Sequence, residues 1–104
     1  MDKPTPRINS ELREQYVERT VRLTGKIVTY SGQTAVIEAP DHGHVMVKVN
    51  GENNWSGTYV EVIGRIEKDF SITEFKSCSL GDDIDLDLAN KVVEYGQKYK
   101  EIFE

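Results

Sequence analysis

Two stretches of this chain alternate apolar and polar residues with a period of two, and each places a glycine within the apolar series. In Thr20 to Tyr30 the apolar face reads Val21, Leu23, Gly25, Ile27; in Tyr59 to Glu67 it reads Val60, Val62, Gly64, Ile66. Alternation of this kind marks a strand with one buried and one wet face. A glycine inside such a strand marks a bend or bulge. Two strands that must coil sharply steer a small chain toward a closed barrel, because closure at this size requires strongly tilted and twisted strands.

The intervening segments supply the remaining strands. After Ile27 the apolar positions shift to Val28 and Tyr30, as expected of a strand that passes from one sheet to another. Ser31-Gly32 is a turn, Gln33 to Ala39 is a second strand with Ala35 and Ile37 inward, and Pro40-Asp41-His42-Gly43 closes a hairpin. Val45, Val47 and Val49 define a third strand, and the polar run Asn50 to Gly57 reads as a helix-free connection carrying one large aromatic, Trp55. Lys68-Asp69 turns the chain into a fifth strand, Phe70 to Leu80, containing Ile72 and Phe75. Before the strands, Pro4 and Pro6 hold the chain extended. Asn9 offers an N-cap to a helix of about two turns, with Leu12 and Tyr16 four apart. The expectation is an all-β fold: a five-stranded OB-fold barrel with a short N-terminal helix and a long C-terminal amphipathic helix, forming one domain over residues 1–104. An SH3-like barrel is the second choice, and the C-terminal helix weighs against it.

The C-terminal segment is the most informative about function. Gly81-Asp82-Asp83 is a break, after which Asp85 is placed to cap a helix over 85–103. Asp87 with Lys91, and Glu94 with Lys98, are acid-before-base pairs four apart on its polar side. Leu88, Val92, Tyr95, Tyr99 and Ile102 fall on one side, Ala89, Gly96 and Phe103 at the centre, and Leu86 and Val93 on the other. The apolar arc covers more than half the circumference, whereas a helix lying on one core needs a stripe about 100° wide. Two contacts are therefore expected, the alternative being that the helix simply plugs the barrel end as a wide core element. One is with the barrel; the other, through Leu88, Val92, Tyr95, Tyr99, Ile102 and Phe103, is with helices of other chains.

Composition narrows the function classes. At 104 residues there is room for one domain, which buries about two-thirds of the surface its unfolded chain exposes and leaves little space for a large enclosed active site. The 38% apolar and 30% charged residues suit a globular protein, and no apolar run approaches the roughly 20 residues needed to cross a bilayer. The first ten residues read as neither a secretory nor a transit segment, so a cytosolic or nuclear location is expected. The net charge of −5 is unevenly spread: residues 1–19 carry four basic and four acidic side chains, 20–79 six and seven, and 80–104 three and seven. A nearly neutral barrel has weak intrinsic affinity for nucleic acid, since phosphate neutralisation supplies most non-specific binding.

Candidate chemistry is sparse. Cys78, the single cysteine, is read as a small packed side chain. His42 and His44 flank Gly43 in a turn with Asp41 beside them, too few ligands for a metal. With no phosphate-binding glycine pattern, no cysteine nucleophile setting and no framed carboxylate pair, the chain is read as non-catalytic, without metal or cofactor. OB-folds take single strands by stacking bases on aromatics over a basic groove, and the candidates for such contacts are Lys26, Tyr30, Lys48, Trp55 and Phe70.

Four segments together resemble a known family: Pro6-Arg7-Ile8-Asn9 before a short helix, Val21 to Gly25 followed by Lys26-Ile27, Val60-Glu61-Val62-Ile63-Gly64-Arg65-Ile66, and Ile84-Asp85-Leu86-Asp87-Leu88-Ala89-Asn90. In order and spacing they resemble the smallest subunit of eukaryotic replication protein A over nearly the whole chain. The resemblance implies an OB-fold whose C-terminal helix joins helices of the middle and large subunits in a three-helix bundle. That bundle is the trimerisation core of the nuclear heterotrimer that binds single-stranded DNA in replication, repair and recombination. The small subunit is then mainly structural, with DNA bound through the complex and no membrane partner. The run Lys98 to Phe103 lacks a proline that relatives often carry there. A small OB subunit of telomere-capping complexes shares the architecture, and a stand-alone strand-binding module is a further alternative.

Overall fold

The computed structural model describes residues 5–49, 55 and 57–98. Its first strand, β1 (Thr20–Tyr30), serves two neighbours in turn. Thr20 to Lys26 pair antiparallel with β4 (Tyr59–Ile66), and Lys26 to Tyr30 pair antiparallel with β2 (Thr34–Glu38). β2 pairs with β3 (His44–Lys48), β4 pairs with β5 (Ile72–Gly81), and a short parallel contact, Val47 with Ile72 and Lys48 with Thr73, closes the ring in the order β1-β2-β3-β5-β4.

The two mid-strand glycines are required by close approach. A Cβ on Gly25 would meet the Ile37 side chain and the Glu38 carbonyl oxygen, and one on Gly64 would meet the Thr73 carbonyl oxygen and the Ile72 side chain. Both sit where a coiled strand is crossed closely by its neighbour. The interior is filled from the expected alternating positions: Val21, Leu23, Ala35, Ile37, Val45, Val47, Val60, Val62, Ile66 and Ile72 are all buried.

Three β-bulges account for the main departures from the sequence reading. Val28 has no β2 partner between Ile27 and Thr29, Phe75 has no β4 partner between Glu74 and Lys76, and Leu80 is skipped between Ser79 and Gly81. A bulged residue drops out of the in-and-out alternation. Val28 and Phe75 are consequently exposed, Tyr30 is exposed at the end of β1 although it keeps its register with Ala35, and β5 begins at Ile72, with Phe70 left in the preceding turn. Cys78 faces outward opposite Glu61 and is exposed, correcting the expectation that it packs.

The N-terminal helix is a single 3-10 segment, Glu11–Tyr16, preceded by an arm whose Arg7 bridges Arg22 of β1. Asn9 does cap it: its Oδ1 accepts from the Leu12 amide at 3.2 Å, one residue ahead of the formal cap position, Ser10. Tyr16 and Ile8 from this segment plug the barrel core. The C-terminal helix α1 is described over Leu86–Lys98; the expected continuation to Phe103 lies outside the described residues, as does most of the connection over 50–57.

Candidate assembly helix and barrel surface

Helix α1 is capped by Asp85, the residue before it, whose Oδ1 accepts from the Leu88 amide at 3.2 Å. Leu86 and Val93 turn inward, 7% and 3% exposed. Polar contacts fix the same side: Asn9 Nδ2 donates to Asn90 Oδ1 at 2.8 Å, and Gln97 Nε2 donates to the Tyr16 hydroxyl at 2.9 Å. The helix therefore lies against the N-terminal arm and the 3-10 segment at one end of the barrel. On its opposite side Leu88, Val92 and Tyr95 are 57%, 49% and 58% exposed, spaced i, i+4, i+7. The remaining predicted interface residues, Tyr99, Ile102 and Phe103, lie outside the described residues.

The first turn of α1 is also tied to the β2–β3 turn. His42 holds φ +69°, its Nδ1 is 2.6 Å from Glu38 Oε2, and its Nε2 is 2.7 Å from Asp87 Oδ1. The hydrogen bond to Glu38, then that to Asp87, raises the imidazole pKa above its ordinary value. Asp87 is thus engaged by His42 rather than by the Lys91 that sequence spacing suggested, and Glu94 accepts from Asn90 Nδ2 at 3.0 Å. Next to His42, Asp41 accepts from the Ser10 hydroxyl and from the amides of Ser10, Glu11 and Gly43. Burial pushes the Asp41 pKa up, but those hydrogen bonds outweigh it and hold the carboxyl below its usual value. Sequence reasoning saw in this turn only a solvated hairpin. The acid-His-Gly order was visible, but its distant partners Ser10 and Asp87 were not.

The proposed nucleic-acid contacts are brought together only in pairs. Tyr30 and Trp55 meet with ring centroids 5.4 Å apart and planes tilted 48°, and the Trp55 indole N–H donates to Ser77 Oγ while the ring packs on the barrel core. Lys48 Nζ lies 4.0 Å from Asp69 Oδ2, next to Phe70. The Ser71 hydroxyl and amide hydrogen bonds, with Lys48 adding charge, keep the Asp69 pKa low. Phe70 stands in the β4–β5 turn at φ +67°, its carbonyl accepting from Arg13 Nη1 at 3.2 Å. Lys26 is exposed where β1 passes from β4 to β2, in register with Tyr59 and Glu38.

A closed five-stranded barrel of this strand order, plugged by a short N-terminal helix and carrying a C-terminal helix with an exposed apolar stripe, defines a small OB-fold subunit built for assembly. The family model described as Replication factor A protein 3 matches residues 1–103. Replication factor A protein 3 of Schizosaccharomyces pombe is 26% identical over 104 residues, spanning 99% of this chain and 98% of that one. A chain in the structure of U. maydis replication protein A bound to single-stranded DNA superposes with a TM-score of 0.94 at 32% identity, covering 100% of this chain and 99% of that one. The chain belongs to the Replication factor A protein 3 family, the smallest subunits of replication protein A. A chain of the S. pombe Stn1-ten1 complex shares the fold alone, with a TM-score of 0.74 at 14% identity over 95% of this chain and 97% of that one.

Proposed function

We propose that this chain is the structural subunit through which a heterotrimeric single-stranded DNA-binding complex is assembled, with α1 packing against one helix each from the middle and large subunits of replication protein A. The observation that carries the reading is the two-sided helix. Leu86 and Val93 commit one face to the barrel end, while Leu88, Val92 and Tyr95 leave a seam of large apolar side chains exposed on the other. A seam of i, i+4, i+7 spacing is the geometry by which helices interlock in bundles. Solvent-exposed apolar groups at that density favour association, and tyrosine suits an interface that is half apolar and half wet.

In this reading the barrel braces the helix, and most of the DNA affinity resides in the assembled complex, since residues 20–79 are nearly neutral. The chain carries out no catalytic step, needs no cofactor or metal, and works in the nucleus, where such a complex serves replication, repair and recombination. The test is co-expression with the middle subunit, comparing the full chain with one truncated after Gly81. Association by the full chain that disappears on truncation supports the proposal; association retained without the helix overturns it.

A further inference from the structure

The outer face of β1, β4 and β5 plays no part in the assembly scheme, and its residues are lined up by strand register. Arg7 of the arm opposes Arg22, Arg22 opposes Ile63, and Ile63 opposes Lys76. With strands about 4.8 Å apart the row runs about 14 Å, and three of its four positions are cationic. The adjacent row adds Arg65, in register with Thr20 and Thr73. Burial of Ile8, Val21, Leu23, Val62 and Gly64 on the inner side fixes the outward direction of the residues between them. The β5 bulge sets Phe75 beside Lys76, 51% exposed.

The acids on this face are few. Glu61 Oε1 is 3.7 Å from Arg22 Nη1, Glu18 Oε1 is 3.9 Å from Arg65 Nη2 and 3.8 Å from Lys68 Nζ, and Glu67 Oε1 accepts from the Thr73 hydroxyl at 3.0 Å. Among the described residues Arg7 and Lys76 enter no ion pair, and Arg22 pairs with Glu61 only at 3.7 Å. A chain of net charge −5 thus concentrates cations on one sheet face.

We infer that this face carries single-stranded DNA, with Arg7, Arg22, Arg65 and Lys76 holding backbone phosphates and Phe75 stacking a base. The inference rests on the reading of the chain as a subunit of a single-stranded DNA-binding complex, and it adds Arg7, Arg22, Phe75 and Lys76 to the contacts read from the sequence; Lys48, in register with Thr73, continues the row of Arg65. Guanidinium groups suit phosphates because two parallel N–H donors meet two oxygens. An exposed ring beside the cations supplies the stacking platform that a strand binder uses. An acidic peptide would engage the cations but offers Phe75 no base.

The test is an amide-resolved NMR titration of the full chain with a short oligothymidylate, at low and moderate salt, alongside the variants R7E/K76E and F75S. All three altered side chains are exposed, and an unchanged spread of amide signals verifies folding. The expected result is shifts centred on Arg7, Arg22, Phe75 and Lys76. R7E/K76E should bind about tenfold or more weakly, with a log-log salt slope shallower by about 1.4, or about 0.7 for each phosphate no longer neutralised. F75S should weaken binding with the slope unchanged. Shifts confined to Tyr30, Lys48, Trp55 and Phe70, no shifts at all, or equal binding of a glutamate peptide to the same amides would each overturn the inference. Co-expression of R7E/K76E with the middle subunit separates the two readings: retained assembly with unaltered DNA binding removes the DNA face and leaves the assembly role standing.

Discussion

His42 Nε2 lies 2.7 Å from Asp87 Oδ1, joining the β2–β3 turn to the first turn of the assembly helix. With Nδ1 against Glu38, the ring sits between two carboxylates, an arrangement that favours the doubly protonated imidazolium donating to both. Its pKa is raised from 6.5 by those two hydrogen bonds, Glu38 first. A raised value means that the folded state holds the proton more tightly than the unfolded chain. The stabilisation is fully present below the unfolded pKa and is lost as pH rises through the folded one. NMR titration of the imidazole is expected to give a midpoint above 6.5, moved downward by D87N; a midpoint unmoved by D87N would show that the pairing does not persist in solution.

Asp41 behaves in the opposite sense. Its carboxylate satisfies the amides at the start of the 3-10 helix and the Ser10 hydroxyl, so the arm is docked by one side chain about thirty residues away in sequence. The lowered pKa makes this contribution present above the ordinary value of 3.8 and lost as pH falls through the folded value. D41A leaves several donors without an acceptor and is expected to cost about 1–3 kcal/mol in denaturant unfolding. D41N, which keeps one acceptor oxygen, should cost less and should flatten the acid limb of the stability profile.

The barrel was legible in the sequence because its inward positions obey period two, and Val21, Leu23, Val60, Val62 and Ile66 are buried as that pattern requires. The division of α1 into a barrel side at Leu86 and Val93 and an open side at Leu88, Val92 and Tyr95 was legible for the same reason: the helical period assigns faces. Phe75 and Val28 were not, because a bulge changes the phase of a strand and the residue that absorbs the change has no compositional mark. Nor was the cationic row. Arg7, Arg22 and Lys76 are scattered over the chain and become neighbours only through strand pairing, so summing charge by segment averaged them away.

Gly25 and Gly64 test the closure of the barrel. Each lacks space for a methyl group against a neighbouring backbone carbonyl, that of Glu38 or Thr73, and backbone cannot swing aside as a flexible side chain can. G25A and G64A are each expected to destabilise by at least about 1–3 kcal/mol, the range for overpacking a well-filled core. Gly96, with nothing near its Cβ position, is the internal control. G96A should be neutral or stabilising by up to about 1 kcal/mol, since it sits inside a helix. Urea unfolding of the three variants checks the order, and a G64A as stable as G96A would contradict the close packing.

The assembly helix makes opposite demands on two adjacent residues. Val93 is buried against the barrel end, so V93A removes core packing and should lower the stability of the chain by about 1–3 kcal/mol. Val92 is half exposed and touches the barrel little, so V92D should leave the unfolding free energy of the isolated chain within about 0.5 kcal/mol of the parent. In association the order reverses. A carboxylate placed in the middle of the Leu88–Val92–Tyr95 seam would have to be buried without a partner on binding, at a cost of several kcal/mol, enough to abolish capture of the middle subunit. V93A, which keeps the seam, should still be captured. Denaturant unfolding and co-expression capture of the same two variants give the four readings required. If V92D destabilised the isolated chain while leaving capture intact, the open face of α1 would belong to the fold of this chain and not to its partners.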